Sequence, residues 1–245
     1  MPRVQKKTKR KKNQTLIKIH FFKFFFNFLI IFLIFTVIPV LVYRLFDPPT
    51  TPLLWIRWIE SGHDKSYPTF LNRWVSLNQI SPNLVRAVIA AEDQKFFHHS
   101  GFDWQAVEAA IKTNLSTDKI VGASTISMQT ARNVFLWQDR SWLRKFLEAW
   151  FTFLIENLWG KKRILEIYLN VIEWGNGIFG CESASLKYYK NSCITLSPVE
   201  SALMAAVLPN PRNWSAIKPQ ARVSARQLKI LSAMSHIRTP DSIKK

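Results

Sequence analysis

Residues 90–104, AAEDQKFFHHSGFDW, place an acidic pair, an aromatic pair and a histidine pair in one short stretch. Just upstream, Ser81 and Pro82 supply an N-cap residue and a proline at the first helical position, so a helix is predicted to begin there. Residues at helical spacing give this helix an apolar face: Val85, Val88 and Ile89. The helix therefore leads directly into the acidic pair.

Glu92 and Asp93 lie at the predicted C-terminus of that helix, where the helix dipole disfavours negative charge. A Glu92 carboxylate held there between Ile89 and the Phe96-Phe97 pair is expected to resist ionisation. A raised pKa is what a general base needs to work near neutral pH. The alternative is an exposed, solvated acid at a frayed helix end.

The N-terminal region combines charge with hydrophobicity. Residues 1–20 carry many Lys and Arg and no acid, and residues 24–43 are apolar except for Asn27 and Thr36. That apolar run is long enough to cross a bilayer, and no small-residue cleavage site follows it. By the positive-inside rule, the N-terminus is predicted to be cytoplasmic and the rest of the chain external. The basic residues thus need no nucleic-acid partner, and none is predicted.

The remaining composition fits one anchor and one mid-sized domain. The chain has 245 residues and a formal charge of +18, an excess that indicates an anionic partner such as a lipid or a phosphorylated substrate. We predict a basic cytoplasmic tail, a transmembrane anchor, a proline-rich linker, a folded domain and a disordered tail, over residues 1–20, 21–45, 46–54, 55–235 and 236–245.

Cysteine and histidine provide no metal-ligand pattern. Cys181 and Cys193 are too few for a disulfide framework, and the sequence leaves open whether they form a bridge or are free and buried. His98 and His99 are expected to pack or hydrogen-bond within their loop. No metal site is predicted from these residues.

Residues 122–137, GASTISMQTARNVFLW, place glycine and hydroxyl residues at a predicted helix start. Free backbone N–H groups at such a start can bind an anion, and Arg132 follows with a full positive charge. The hydroxyl side chains concerned are Ser124, Thr125 and Ser127. The alternative is a hydroxyl-rich N-cap followed by a solvated arginine.

Residues 140–159 form a second predicted helix that begins with Arg140, Arg144 and Lys145. Glu148 lies one turn beyond Arg144, so an ordinary ion pair between them is the structural interpretation. The surroundings of Glu148 are nonetheless apolar on almost every side, which predicts a buried carboxylate retained for function. Two carboxylates, Glu92 and Glu148, beside a cationic cluster suit chemistry at a sugar carbon with an anionic leaving group.

The rest of the chain reads as helical. Further helices are predicted over residues 53–59, 104–115, 161–173, 182–189, 198–207 and 221–237. Residues 106, 109, 110 and 111 are expected on the packed side of the second of these. Residues 174–180 contain three glycines and predict a tight turn, and strand alternation is not evident. The fold class predicted is mainly α.

Five segments, in order along the chain, resemble the motifs of glycosyltransferase family 51: EDQKFFHHSGFDW, GASTISMQTARN, RKFLE, KKRILEIYLN with WGNGIFG, and SPVESALMAAVLPNP. The resemblance extends over residues 55–233, and a single anchor is similar to the monofunctional members. It implies a lysozyme-like helical domain with a membrane-proximal lobe, in the periplasm at a Gram-negative inner membrane. It also implies polymerisation of lipid II into glycan strands, with release of undecaprenyl diphosphate and with other cell-wall synthesis proteins as partners.

The resemblance also assigns roles to residues. Glu92 matches the catalytic base, which takes the proton from the acceptor GlcNAc 4-hydroxyl while the donor anomeric carbon is attacked with inversion. Glu148 matches a second glutamate that steadies the donor sugar-diphosphate, directly or through a divalent cation, Mg²⁺ or Mn²⁺. No covalently bound cofactor is implied. The substrate-binding positions implied are Ser124, Gln129, Arg132, Arg140, Arg144 and Lys145.

Met128 departs from the family pattern, which has glutamine there. Methionine cannot donate amide hydrogen bonds, so reduced activity is expected. Two other functions remain as alternatives: a glycan-cleaving muramidase or lytic enzyme, and a non-catalytic cell-wall scaffold. A hydrolase would not need diphosphate-binding arginines, and a scaffold would not need Glu92, Glu148 and Arg144.

Overall fold

The computed structural model describes residues 2–71, 73–117, 121–139 and 141–240, with side chains described from residue 20 onward. The chain divides into two compact units between Tyr43 and Arg44, and each is described by itself. Two predictions lie outside the described residues: the site residue Arg140, and the last five positions of the expected disordered tail.

The first unit is part of one long helix, α1, which spans Pro2–Leu45. Within it, His20–Leu45 is 26 residues long with a mean hydropathy of 2.8, which is long and apolar enough to span a bilayer. This segment near the N-terminus is compatible with membrane anchoring.

The second unit is mainly α-helical, as predicted. Its helices are α2 (Pro52–Glu60), α3 (Pro82–Glu92), α4 (Trp104–Ser116), α5 (Ile126–Phe135), α6 (Trp142–Leu158), α7 (Lys161–Val171), α8 (Cys181–Tyr189), α9 (Pro198–Val207) and α10 (Ala221–Met234). Short 3₁₀ turns lie at Leu77–Gln79 and Cys193–Thr195.

Local capping explains where two of these helices begin. Ser81 Oγ accepts a hydrogen bond from the Asn83 N–H at 3.3 Å, and a proline follows at the first helical position of α3. At the start of α9, Ser197 and Glu200 form a reciprocal capping box. Both predicted helix starts are confirmed.

Packing brings side chains of two other helices to the carboxylate at the end of α3. α3 packs against α9 and α10, and α5 packs against α6 and α7. The predicted apolar face of α3 is buried, and so are Leu165 and Tyr168 on α7. Glu92, the last residue of α3, meets side chains from both α5 and α10.

One stretch predicted without strands forms a small β-hairpin. β1 (Glu173–Gly175) pairs antiparallel with β2 (Ile178–Phe179), and α7 ends at Val171 instead of residue 173. Strands of three and two residues are too short to show the alternation on which a strand prediction depends. Gly177 in the turn has φ +69°, a left-handed conformation that favours glycine.

The predicted burial was wrong in part on α4, whereas on α6 the predicted burial of the Glu148 carboxylate is confirmed. On α4, Ala110 is buried but Ala109 and Ile111 are exposed. On α6, only the side that packs against α5 and α7 is buried, whereas Trp142 is 92% and Phe146 65% exposed. Hydrophobicity on every side of α6 therefore did not mean burial on every side, because α6 has helical neighbours on one side.

Candidate active site

A cleft of about 400 Å³ opens beside the C-terminus of α3. Its walls come from the loop after α3, from α4 and from the segment before α5. The residues that line it are Glu92, Asp93, Gln94, Lys95, Asp103, Gln105, Ala106, Ala109, Gly122, Ala123, Ser124 and Thr125. Residues from the 90–104 stretch and from the hydroxyl-rich segment before α5 thus line the same cleft.

The carboxylate of Glu92 is held on both oxygens. Gln129 Nε2 donates to Oε2 at 3.0 Å, and Arg226 Nη2 donates to Oε1 at 3.0 Å. Burial raises the pKa of Glu92, while Gln129, Arg226 and the charge of Arg132 act in the opposite direction. The net shift is upward, which is the direction expected for a base that works near neutral pH.

Gln129 is itself oriented by a buried phenol. Tyr168 OH donates to Gln129 Oε1 at 3.1 Å, and Tyr168 is only 1% exposed. With its oxygen occupied in this way, the amide of Gln129 must present its NH₂ group to Glu92. Tyr168, Gln129 and Glu92 therefore form a hydrogen-bonded chain across α7, α5 and α3.

The Tyr168→Phe variant is expected to lose this orientation while keeping the packing of the ring. Because one hydrogen bond contributes about 0.5–1.5 kcal/mol, the rate should fall about 2–10-fold. Steady-state kinetics of lipid II polymerisation, the reaction that the family resemblance implies, measures the effect. Tyr189→Phe serves as the control. Equal rates for the two variants would contradict a role for the chain.

Asp93 has a different environment from Glu92. His99 Nε2 lies 2.9 Å from Asp93 Oδ1, and the Ile126 N–H donates to Asp93 Oδ2 at 3.0 Å. The Gly101 N–H donates to His99 Nδ1 at 3.1 Å, so the proton of the neutral ring is on Nε2 and points to Asp93. The hydrogen bonding expected for His99 is confirmed, and Asp93 ties the loop to the start of α5.

Most of the hydroxyl groups around the start of α5 are hydrogen-bonded within the protein. Thr125 Oγ1 donates to Gly101 O at 2.6 Å and accepts from the Met128 N–H, and Ser127 Oγ donates to Glu156. The first amide of α5 is already bound to Asp93. Fewer donors are therefore available to an anion than the sequence predicted, and Ser124 is the hydroxyl residue of this group that lies on the cleft wall beside Thr125.

Arg132 lies one turn beyond Gln129, in a second cavity of about 180 Å³. Arg57, Gln129, Asn133, Gln138 and Tyr168 also line this cavity. Among the described residues, the buried Nε of Arg132 has no hydrogen-bond partner. An unpartnered buried donor on a cationic side chain is a feature that an anionic ligand would satisfy.

Glu148 forms a separate cluster on α6. Arg144 Nη1 and Lys145 Nζ each lie 2.5 Å from a different oxygen of Glu148, whose side chain is 1% exposed. Arg144 Nε also donates to Asp139 O at 2.6 Å. The ion pair considered as the structural alternative is therefore present.

This donor set does not fit a divalent cation. Both oxygens of Glu148 already face cationic groups, so a metal ion there would meet like charges instead of free oxygen ligands. Among the residues for which the structure gives side chains, no group of three or more His, Cys, Asp or Glu is arranged to hold a metal ion.

The predicted site residues thus fall into three groups. Glu92 and Ser124 line the first cleft, Gln129 and Arg132 line the second cavity, and the third group lies on α6. In the described part of the chain, no hydrogen bond or ion pair joins Glu148 to Glu92. Residues not predicted from the sequence also contribute: Tyr168, Asp93 and Arg226.

Cys181 and Cys193 are both buried and free, with their sulfur atoms 3.8 Å apart. A disulfide requires about 2.05 Å between the sulfur atoms. Of the two states left open by the sequence, the structure therefore shows buried thiols.

Met128 is on the packed side of α5 and is 6% exposed. The family pattern has glutamine at position 128, and its amide contact is missing here. Met128→Gln should restore that contact and raise the rate of lipid II polymerisation about 2–10-fold, the effect of one hydrogen bond. Met128→Leu keeps the volume without adding an amide and should match the parent. A Met128→Gln variant no faster than Met128→Leu would show that the contact does not matter in this protein.

Known proteins resemble the chain over most of its length. Residues 65–235 match the family model described as Transglycosylase. A biosynthetic peptidoglycan transglycosylase of Caulobacter vibrioides is 50% identical over 203 residues, covering 82% of this chain and 86% of the relative. A relative of the same name from Bacteroides thetaiotaomicron is 46% identical over 209 residues, covering 85% and 84%. These matches show that the chain belongs to the transglycosylase family.

Proposed function

We propose that this protein is a membrane-anchored peptidoglycan glycosyltransferase that polymerises lipid II into glycan strands and releases undecaprenyl diphosphate. The observation that carries the proposal is Glu92, a carboxylate of raised pKa at a cleft, held by Gln129 and Arg226. The relatives named biosynthetic peptidoglycan transglycosylase support a peptidoglycan glycosyltransferase activity.

Glu92 acts as the general base in the proposed reaction. It takes the proton from the GlcNAc 4-hydroxyl of the acceptor, and the oxygen attacks the anomeric carbon of the growing donor chain. The bond from that carbon to the diphosphate breaks, and the diphosphate leaves with the electron pair. Attack opposite the leaving group inverts the anomeric configuration. A base of raised pKa gives a stronger driving force for the proton transfer.

The cationic residues stabilise the leaving diphosphate. Arg132, with its unpartnered Nε, contributes from the second cavity, and Ser124 contributes from the wall of the first cleft. Arg144, Lys145 and Arg140 complete the proposed set. Since both oxygens of Glu148 are engaged by Arg144 and Lys145, we assign Glu148 the task of holding those cations in place, without a divalent cation between them.

Membrane attachment brings the domain to a polyprenyl-linked substrate. We propose a single-pass protein of the inner membrane with a cytoplasmic N-terminus and a periplasmic catalytic domain, with the domain limits given above. The segment His20–Leu45 supports an anchor, and the exposed apolar side chains Trp142, Leu143 and Phe146 on α6 are suited to lipid. The proposed partners are lipid II, the growing strand, the membrane and other cell-wall synthesis proteins.

Incubation of the full chain in detergent with labelled lipid II tests this function. Gel separation should show a ladder of glycan polymers, and preformed strands supplied separately should stay uncut. Cleavage of the strands without polymerisation would indicate a lytic enzyme. Binding of lipid II with neither reaction would indicate a scaffold.

A further inference from the structure

Arg226 reaches Glu92 from a part of the chain that none of the five motifs includes. It lies on α10, 134 residues from Glu92 in the sequence. Its Nη2 donates to Glu92 Oε1 at 3.0 Å and to the backbone oxygen of Ala91 at 3.1 Å. Arg226 therefore binds both the carboxylate and the last turn of the helix that carries it.

The two oxygens of Glu92 are held by chemically different donors. Gln129 on Oε2 is a neutral amide oriented by Tyr168, whereas Arg226 on Oε1 is a cation. Each carboxylate oxygen has two lone-pair sites, so one donor on each leaves sites free to accept a proton from a substrate. The pair of donors fixes the plane of the carboxylate without blocking it.

We propose that Arg226 is a positioning residue for the base, which holds Glu92 ionised and oriented toward the cleft. The proposal rests on the function assigned above and adds a residue from α10 to it. Arg226 acts through the Glu92 carboxylate to which it donates, and no contact with the substrate is assigned to it. It also makes the packing of α10 against α3 a requirement for activity.

The charged and titratable groups around Glu92 define the expected pH dependence. They are Arg132 from α5, Tyr168 from α7, Arg226 from α10 and Asp93 from the following loop position. Burial raises the pKa of Glu92, and Arg226 opposes that rise by favouring the charged form. Without Arg226 the pKa of Glu92 rises further, so a larger fraction of the base is protonated at neutral pH.

The test is the pH profile of kcat/KM for lipid II polymerisation by the full chain and by Arg226→Gln. The acidic limb of the variant should move to higher pH by about one unit, a shift typical of losing one nearby opposite charge. The rate should then be about tenfold lower on the acidic side and approach that of the parent as the pH rises. Arg226→Lys keeps the charge and should restore most of the acidic limb.

Arg222→Gln serves as the matched control. Arg222 lies one turn earlier on α10, over the Trp214 ring, and should leave the profile unchanged. A ¹³C NMR titration of the Glu92 carboxyl in the parent and in Arg226→Gln gives a second readout that needs no turnover. Equal Glu92 titrations and a uniform rate loss at all pH values would overturn the proposal, since a purely structural role acts that way. A parent without polymerase activity would overturn the proposed function instead.

Discussion

The Glu92→Gln variant is expected to lose polymerisation almost completely. Glutamine has nearly the same shape as glutamate and can hydrogen-bond to Arg226 less strongly, but it cannot accept a proton from the acceptor hydroxyl. General-base catalysis contributes about 10²–10⁴ in rate, so kcat should fall about 10³-fold while KM changes little. Initial rates of polymer formation from labelled lipid II measure the loss.

A matched control for this variant is Glu108→Gln on α4. Glu108 is an exposed acid paired with Lys112, and its neutralisation should leave the rate within about twofold of the parent because exposed pairs contribute little. Thermal unfolding should show that both variants are folded. A Glu92→Gln variant that retained a tenth of the parent rate would exclude Glu92 as the base.

The sequence predicted the centre of the site because that centre is local. Glu92 follows a capped helix with a regular apolar face, and the helix end, the acid and the aromatic pair are within a few positions of each other. That helix is present in the structure, and the pKa of Glu92 is raised as expected. The main cause of the rise is burial of the carboxylate. The catalytic role itself remains a prediction until the variant is measured.

Arg226 could not be recognised in the same way. Arg222, Arg226 and Lys229 occur at the spacing of one helical face and look like a solvated basic stripe. In the fold, Arg222 lies over Trp214 while Arg226 reaches Glu92. The two arginines have different partners because α10 packs against α3. The residues around Arg226 in the sequence do not indicate that packing.

Long-range packing also explains the errors in burial. The side chains around Glu148 are apolar on almost every side, but α6 packs along one side and leaves Trp142 and Phe146 exposed. Helical periodicity identifies which face of a helix is apolar. It does not show how many other helices pack against that face. A helix at a membrane surface and a helix in a core therefore give the same pattern.

The ion pairs of Glu148 with Arg144 and Lys145 are expected to stabilise the fold, and the same residues are proposed to bind substrate. The side chains of Arg144 and Glu148 are 10% and 1% exposed. Removing Glu148 therefore leaves the buried Arg144 cation without its carboxylate, whereas removing Arg144 leaves Glu148 with Lys145 as its remaining cation. Breaking such a pair typically destabilises a protein by about 3–5 kcal/mol, whereas replacing both partners with apolar residues is often neutral. A single substitution at either position consequently cannot separate lost folding from lost catalysis.

The double variant Arg144→Met with Glu148→Leu can separate them. We expect Glu148→Leu alone, which leaves the buried Arg144 without its carboxylate, to lower the free energy of unfolding by about 3–5 kcal/mol, and the double variant to recover most of that loss. Polymerisation by the double variant should still be about 100-fold below the parent, because no cation remains at position 144 to stabilise the diphosphate. Urea unfolding and initial rates, measured on the same preparations, give both quantities. Recovery of stability together with the parent rate would mean that this ion pair holds α6 together and takes no part in the reaction.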